Sequence, residues 1–303
     1  MEFRPLRTFV EVVRQGGFSQ AAKTVFATQS TVSKAVKQLE DGVGVPLLDR
    51  IGHRCVLTAA GEAVYRRGVK LLADRDDLLA ELDEIRGLKR GSLRLGLPPV
   101  GSSTLFAPLF AVYHLRYPGI EVRLIEYGST QLAESLRAGE IDFAGALLPT
   151  SEEFDWQTVR REPLVALLSS NHPLVTRRSV SLTDLKEVPF ILFESGFALH
   201  RVIIDASHRA GFEPNVIARS SQIDFMIELV SAGLGVTFLP RMLATQRRNT
   251  MVRHVPLDEP GVEWAMAMAW RRDAYLSSAA KAWLDLVREI HGKESSSEYS
   301  KSD

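Results

Sequence analysis

Cysteine is nearly absent from this 303-residue chain, Cys55 being the only one. No internal disulfide is possible, and a reducing compartment is expected. Long apolar runs are missing too: none reaches the roughly eighteen residues that a membrane span needs. Glu2, Arg4 and Arg7 interrupt the N-terminus early, so no signal peptide is expected. These absences point to a cytoplasmic protein with no membrane partner. Charge of one sign is not in excess either, since 37 Lys and Arg balance 37 Asp and Glu. A neutral total still allows a local basic surface, because steering fields depend on where the charges lie. The marks of catalysis are also lacking. "GLPPVGSS" follows a strand pattern but has neither the Walker lysine nor GxGxxG. The seven histidines show no HExxH spacing, Cys55 has no CxxC partner, and no serine sits in GxSxG. An enzyme, a metal site and a cofactor are therefore not expected.

What is present begins with size. The chain is too long for one compact core, so about two or three domains are expected. At 45% apolar and 24% charged residues it has the make-up of an ordinary globular protein. Near the start, Leu6, Phe9, Val10 and Val13 repeat at helical spacing after Pro5. Gly16 and Gly17 end that helix, and Ser19 is placed to cap a short second one carrying Ala21, Ala22 and Val25. Thr28 caps a third, within "FATQSTVSKAVKQLE". There Val32, Val36 and Leu39 fall on one side, while Gln29, Ser30, Ser33, Lys34 and Lys37 fill the other with no acid before Glu40. Two short helices joined by a tight turn, the second polar outside, describe a helix-turn-helix.

"PLLDR", "IGHR" and "CVLT" then read as a small hairpin. From Thr58 a helical pattern runs to about Leu88, with Val64, Leu71, Leu78 and Ile85 seven apart and Tyr65, Leu72 and Leu79 alongside. Such a strip suits a helix–helix seam between two copies of the chain. From Gly91 strands and helices alternate: "GSLRLGLP", "SSTLFAPLFAVYHLRYP", "IEVRLIEY", "STQLAESLRAGE" and "IDFAGALL". This order implies parallel strands with right-handed crossovers. A second set follows, with strands "EPLVALLSS", "FILFE" and "VTFLP", helices near Leu199–Ala210 and at "MIELVSAGLG", the strand "VEWAMAMAW", and a helix around Ala279–Ile290.

These fragments, in this order and spacing, resemble the LysR-type transcriptional regulators over nearly the whole chain. The resemblance rests on "GGFSQAAKTVFATQSTVSKAVKQLED", "VGVPLLDR", "LTAAGE", "LRLGLP", "YPGIEV", "LRAGEIDFA", "NHPL" and "LVSAGLGVTFLP". It implies an α/β multidomain protein. A winged helix-turn-helix at 1–58 is followed by a linker and dimerisation helix at 59–89. An effector domain of two α/β lobes, resembling type 2 periplasmic binding proteins, occupies 90–293. Lobe I takes about 90–160 and 267–293, lobe II about 161–266, and 294–303 is expected to be a disordered tail. It also implies homodimers that pair into tetramers. The chain departs from the family at Ser30, where proline often stands, and at Leu48, where phenylalanine is usual. The first departure bears on operator preference.

A helix in the major groove of double-stranded DNA needs donors and acceptors for base edges and cations for phosphates. Gln29 can pair with adenine, while Ser30, Thr31 and Ser33 are short adaptable partners. Lys34 can reach guanine or phosphate, and Lys37 suits a phosphate. Ser19, Gln20 and Thr28 complete the candidate face, with Arg50 and Arg54 on the wing for backbone or minor groove and His53 at its tip. Cys55 on a wing strand has the usual role of a small buried hydrophobe; a redox switch needs a partner it lacks.

In the second half, candidate ligand residues sit where strands end and helices begin. They are Val100, Gly101, Ser102 and Ser103 in "LPPVGSST", Ser129 in "YGST", and Phe197 in "FESGFALH". Leu147 stands where some relatives have a polar residue, and Ser221 and Gln222 precede a helix, where they serve equally as cap and surface. For each serine, helix capping is the plain alternative. Hydroxyls and amides beside Phe197, Leu147 and Val100 suit a small carboxylate with an apolar or aromatic body. A structural DNA-binding protein without effector control would account for the first ninety residues but not for the two-lobed remainder.

Overall fold

The computed structural model describes residues 2–51, 54–85, 91–247, 249–272 and 274–297. The chain divides into two compact units, one spanning Met1–Leu88 and the other holding Lys89–Leu136 and Ile141–Asp303.

In the first unit, α1 (Phe3–Arg14), α2 (Phe18–Thr24) and α3 (Gln29–Val43) close around one core. The i, i+3, i+4 spacing of Leu6, Phe9 and Val10 aims them at Ala21 and Ala22 of α2 and at Val32, Val36 and Leu39 of α3. Each such Leu, Val or Phe, fully buried, contributes roughly 1.5–3 kcal/mol of transfer free energy. The first turn ends as glycine chemistry dictates, with Gly16 at φ 69°. α2 begins two residues earlier than a cap at Ser19 predicts. Gly17 occupies the cap without a side-chain bond. Ser19 therefore lies inside the first turn, exposed, and is not the cap.

The wing is the antiparallel pair β1 (Leu48–Ile51) and β2 (Arg54–Leu57), with Leu48 opposite Leu57 and Arg50 opposite Cys55. Two anchors place it. Glu40 Oε1 accepts the N–H groups of Leu47 at 2.8 Å and Leu48 at 3.3 Å, tying the end of α3 to the wing. Thr58 Oγ1 accepts the Gly61 N–H at 2.9 Å and donates to the Pro46 carbonyl at 2.8 Å, so it caps α4 (Ala59–Ile85) against the same segment. A Cβ at Gly61 would stand 2.0 Å from the Leu47 carbonyl oxygen, which is why this turn of α4 needs glycine. Along α4, Val69, Leu72 and Ala73 are buried, whereas Leu71, Leu78, Leu79 and Leu82 are exposed.

The second unit is built on a seven-stranded mixed sheet. Its elements begin with β3 (Gly91–Leu97), α5 (Ser102–Arg116), β4 (Ile120–Glu126), α6 (Ser129–Arg137) and β5 (Phe143–Leu147). These three strands are parallel, as the alternating pattern predicts, with β3 in the middle. Next comes β6 (Phe154–Ser169), sixteen residues long. After two short 3-10 turns follow β7 (Phe190–Leu192), α7 (Ala198–Arg209), β8 (Val216–Arg219) and α8 (Ile223–Ser231). β9 (Thr237–Pro240), α9 (Arg241–Gln246), β10 (Val252–Pro256), β11 (Glu263–Arg271) and α10 (Ser278–Ser297) complete the order.

Two long antiparallel strands join the lobes. β11 lies between β5 and the first half of β6, and the second half of β6 carries β9 and β10. Their register breaks between Met266 and Ala267. β7 and β8 pair in parallel apart from this sheet. One continuous apolar cluster, from Leu93 on β3 to Phe238 on β9 and Val287 on α10, runs through both lobes. Asp142 pins the start of β5 by accepting the Arg94 N–H at 2.7 Å and its Nε at 3.1 Å. Among the described residues, no helix is long and apolar enough to cross a membrane.

Candidate functional site

The polar face of α3 is prepared from its first turn. Thr28 at the cap accepts the Thr31 N–H at 3.2 Å, and its hydroxyl also lies 2.9 Å from those of Ser30 and Thr31. This ring of hydroxyls satisfies the helix start that a proline would otherwise have preset. Gln29, Lys34 and Lys37 are exposed and make no side-chain hydrogen bond or ion pair among the described residues; Ser33 is half-buried between them. Glu40, the nearest acid, is turned inward on the wing segment. Asp41 is exposed at the far end of the helix. The result is an array of amide, hydroxyl and ammonium groups with no acid of α3 itself over its first three turns; the one carboxylate bonded there is that of Glu2, which accepts Gln38 Nε2 at 3.2 Å in the third turn. Ser19 and Gln20 lie exposed on α2. The backbones of Arg50 and Arg54 lie on the wing strands. Their side chains, His53 and the thiol of Cys55 lie outside the described residues.

Between α2 and α3 stands a residue that sequence reasoning passed over. Phe26 has φ 51° and is 98% exposed. A bulky aromatic in the left-handed region at a helix-turn-helix corner has no intramolecular packing to account for it.

In the second unit the candidate ligand residues separate into groups. Val100 is packed into the core, and Gly101 has φ 95° with Trp264 2.7 Å from where a Cβ would be. Neither offers a side chain to a ligand at the surface. Ser102 opens α5, its hydroxyl donating to the Pro98 carbonyl, and Ser103 beside it is exposed. Both border a hollow of about 380 Å³ in lobe I. Ser129 opens α6 and reaches across to lobe II, where its Oγ accepts the Ala198 N–H at 3.1 Å. The Thr130 N–H donates to the Gly196 carbonyl at 3.2 Å, and a Cβ on Gly128 would lie 3.0 Å from that oxygen. Thr104 on α5 donates to Gln246 on α9 at 2.9 Å, a further bond between lobes.

Phe197, half-buried at the cap of α7, stacks on Phe193 at 5.7 Å. Leu147 is half-buried at the end of β5. Ser221 and Gln222 are exposed before α8, and the Gln222 N–H is taken by Ser220. Of the residues read from sequence, Ser129 and Phe197 thus flank one lobe–lobe contact, while Ser102 and Ser103 border the hollow. Thr104 and Gln246 were missed, because nothing local distinguishes a threonine that meets a partner 142 residues away. Among the described residues no group of three or more His, Cys, Asp or Glu side chains is placed to hold a metal ion.

Comparison with known proteins bears on both units. Residues 3–62 match the bacterial regulatory helix-turn-helix protein model of the lysR family, and residues 86–291 match the LysR substrate binding domain. The chain is 35% identical over 286 residues to the uncharacterized HTH-type transcriptional regulator YwbI of Bacillus subtilis (strain 168), covering 94% of this chain and 95% of that one. It is 31% identical over 280 residues to the HTH-type transcriptional regulator BudR of Raoultella terrigena, covering 90% and 95%. A solved full-length OxyR variant from Pseudomonas aeruginosa shares the fold with a TM-score of 0.69 at 24% identity, covering 95% of each chain.

Proposed function

Because the chain belongs to the LysR family of DNA-binding transcriptional regulators with an effector-binding domain, we propose that it reads its operator with α3 and responds to a small organic acid bound between the two lobes. Gln29 is the base reader, Ser30, Thr31, Ser33 and Lys34 are adaptable partners, and Lys37, with the wing arginines Arg50 and Arg54, holds phosphates.

The observation that carries the effector reading is the bond from Ala198 to Ser129. In this structure the groups suited to a carboxylate are spent on each other. An incoming carboxylate takes the Ala198 N–H at the first turn of α7 and accepts the freed Ser129 hydroxyl. One neutral bond is thereby replaced by two charge-assisted ones, with the helix dipole favouring the anion. Phe197 and Leu147 supply apolar contact for the rest of the molecule. Binding thus trades a direct lobe–lobe bond for one through the ligand, and shifts how the lobes sit.

Two chains pair along α4, where Leu78 is 54% and Leu71 41% exposed at seven-residue spacing. Such pairs assemble further into tetramers in the cytoplasm. Lobe movement then changes the spacing of the recognition helices and the bend imposed on the operator.

The test is binding to the region upstream of the protein's own gene, at fixed salt with excess nonspecific competitor, with and without a panel of small organic acids. A specific complex whose footprint changes saturably with one acid is expected. A specific complex that responds only to an uncharged or cationic molecule sinks the organic-acid reading and keeps the regulator.

A further inference from the structure

Glu162 is a carboxylate where packing alone would place none. It is 5% exposed, on the long strand β6 that passes from one lobe to the other. Its Oε1 accepts Arg160 Nε at 2.8 Å, and its Oε2 accepts the Met242 N–H in the first turn of α9 at 3.3 Å. Its cross-strand partner is Trp264 on β11, which is wholly buried. The Trp264 ring lies against Gly101 at the start of α5, 2.7 Å from where a Cβ would stand. One rung of the sheet therefore touches both lobes, lobe I through Trp264 and α5, lobe II through Glu162 and α9. Two rungs away the register breaks: Arg160 faces Met266 and Thr158 faces Ala267, so Val159 has no cross-strand partner. Such a bulge interrupts the ladder and bends its strand, which gives two long strands a place to flex.

α9 bridges this rung. Glu162 holds its first turn, and its last residue, Gln246, accepts the Thr104 hydroxyl of α5 at 2.9 Å. We propose that the Glu162–Trp264 rung is the pivot between the lobes, and that α9 is a strap across it whose bond to Thr104 holds the lobes in their resting arrangement. Glu162 is the positioning residue. A buried carboxylate bound on both oxygens cannot release α9 without losing partners it has no water to replace. The strap therefore gives at its other end, where Gln246 is exposed and a neutral bond exchanges for water at small cost. The clasp of Ser129 on Ala198 lies on other elements, α6 and α7, and shares with the strap only the placement of whole lobes. Losing the strap should loosen the clasp. This deepens the reading that lobe movement carries the effector signal, and rests on that reading only where DNA is the readout.

Hydrogen exchange of the full chain, read by mass spectrometry with no ligand added, tests the strap. Thr104→Val removes the donor and keeps the shape. Peptides over residues 128–132 and 196–200, at the clasp, should exchange about fivefold faster, the size of one neutral hydrogen bond, while β3 at residues 91–97 stays unchanged. Gln246→Ala should do the same and the double variant no more, since all three remove one bond. Glu162→Gln has one oxygen left for two donors, so it should loosen both α9 and the clasp; if it does not fold, the Thr104 and Gln246 variants still decide. Acceleration confined to residues 101–106 and 241–246 would make the bond a local surface contact and sink the strap. Equal acceleration of β3 would overturn it too, as plain loss of stability. A folded Glu162→Gln with an unmoved clasp would remove Glu162 from the device. On the DNA upstream of the protein's own gene, Thr104→Val should move the footprint part-way with no acid present. A loosened clasp with an unmoved footprint keeps the strap and sinks the link from lobes to DNA.

Discussion

Ser129 and Ala198, sixty-nine residues apart, are joined by a 3.1 Å hydrogen bond from the Ala198 N–H to the Ser129 hydroxyl. The same pair of loops is clasped again by the bond from the Thr130 N–H to the Gly196 carbonyl. Ser129→Ala removes the first bond and keeps the second. The second unit should stay folded and lose about 1 kcal/mol, the net worth of one hydrogen bond. DNA affinity without effector should not change, while the effector titration should move to higher concentration. An unmoved titration in the variant would leave Ser129 as a lobe clasp only.

Base readout and phosphate contact on α3 can be told apart by salt. Gln29→Ala should relax operator specificity, costing roughly 1–3 kcal/mol at the operator and little on random DNA, with the salt slope unchanged. Lys37→Ala should weaken both alike and lower the slope by about one. Affinities measured at several salt concentrations on both DNAs decide it. A Gln29→Ala variant that keeps the specificity ratio would remove Gln29 from base readout.

What local pattern could show, it showed. The helical spacing of Leu6, Phe9 and Val10, the Thr28 cap, and the parallel β3, β4 and β5 are all written in short stretches of chain. β8 and β10, four and five residues long, were not read, because runs that short carry too little alternation to separate from loop. β6 was read only from Glu162 onward. Its first half is rich in Asp155, Gln157, Arg160 and Arg161, which look like loop until β11 pairs with them. Serine at 19 predicts a cap because serine is a good one, but the backbone turns at Gly17 and the helix starts ahead of it. The hollow floored by Leu95 and Trp283 exists only once α10 has packed on β3, and no local signal announces that.

Glu40 is the acid that ends the polar face of α3, and it is used inward. Its Oε1 takes two backbone N–H groups, those of Leu47 and Leu48. Glu40→Ala leaves both without their acceptor in a half-buried place, which should cost the first unit roughly 2 kcal/mol. Glu40→Gln keeps one amide oxygen for the same donors and should recover much of the loss. Chemical denaturation of the two variants reads this directly. Equal stability of Glu40→Ala and the parent would mean that water replaces the carboxylate.

Gly61 allows α4 to start against the wing. An added methyl would meet the Leu47 carbonyl oxygen at 2.0 Å and Leu57 at 3.0 Å, and the same carbonyl accepts the Thr58 N–H at 3.0 Å. Backbone cannot yield as a side-chain tip can, so Gly61→Ala must displace the helix start and break that bond. A loss of roughly 3 kcal/mol in the first unit is expected, with operator binding lost because the wing is misplaced. A variant that melts and binds like the parent would show that the segment has room to relax.

Phe26 is the clearest case of a residue whose cost is visible without its return. At φ 51° a bulky side chain crowds its own backbone, and at 98% exposure the ring buries nothing in this chain. Asparagine tolerates the left-handed region, so Phe26→Asn should stabilise the first unit by about 0.5–1 kcal/mol. If that were all, the aromatic would only be a defect. Its place between α2 and α3, at the edge of the face argued to meet DNA, gives the ring a surface to cover once a duplex is bound. We therefore expect Phe26→Asn to melt later and yet to bind DNA more weakly, by a similar factor on operator and random sequence. Such a loss would be a contact to sugar and phosphate, not to a base. Thermal melts with binding curves on both DNAs separate the outcomes: a later melt with unchanged affinity leaves Phe26 outside the interface, and a loss confined to the operator makes it a reader of sequence.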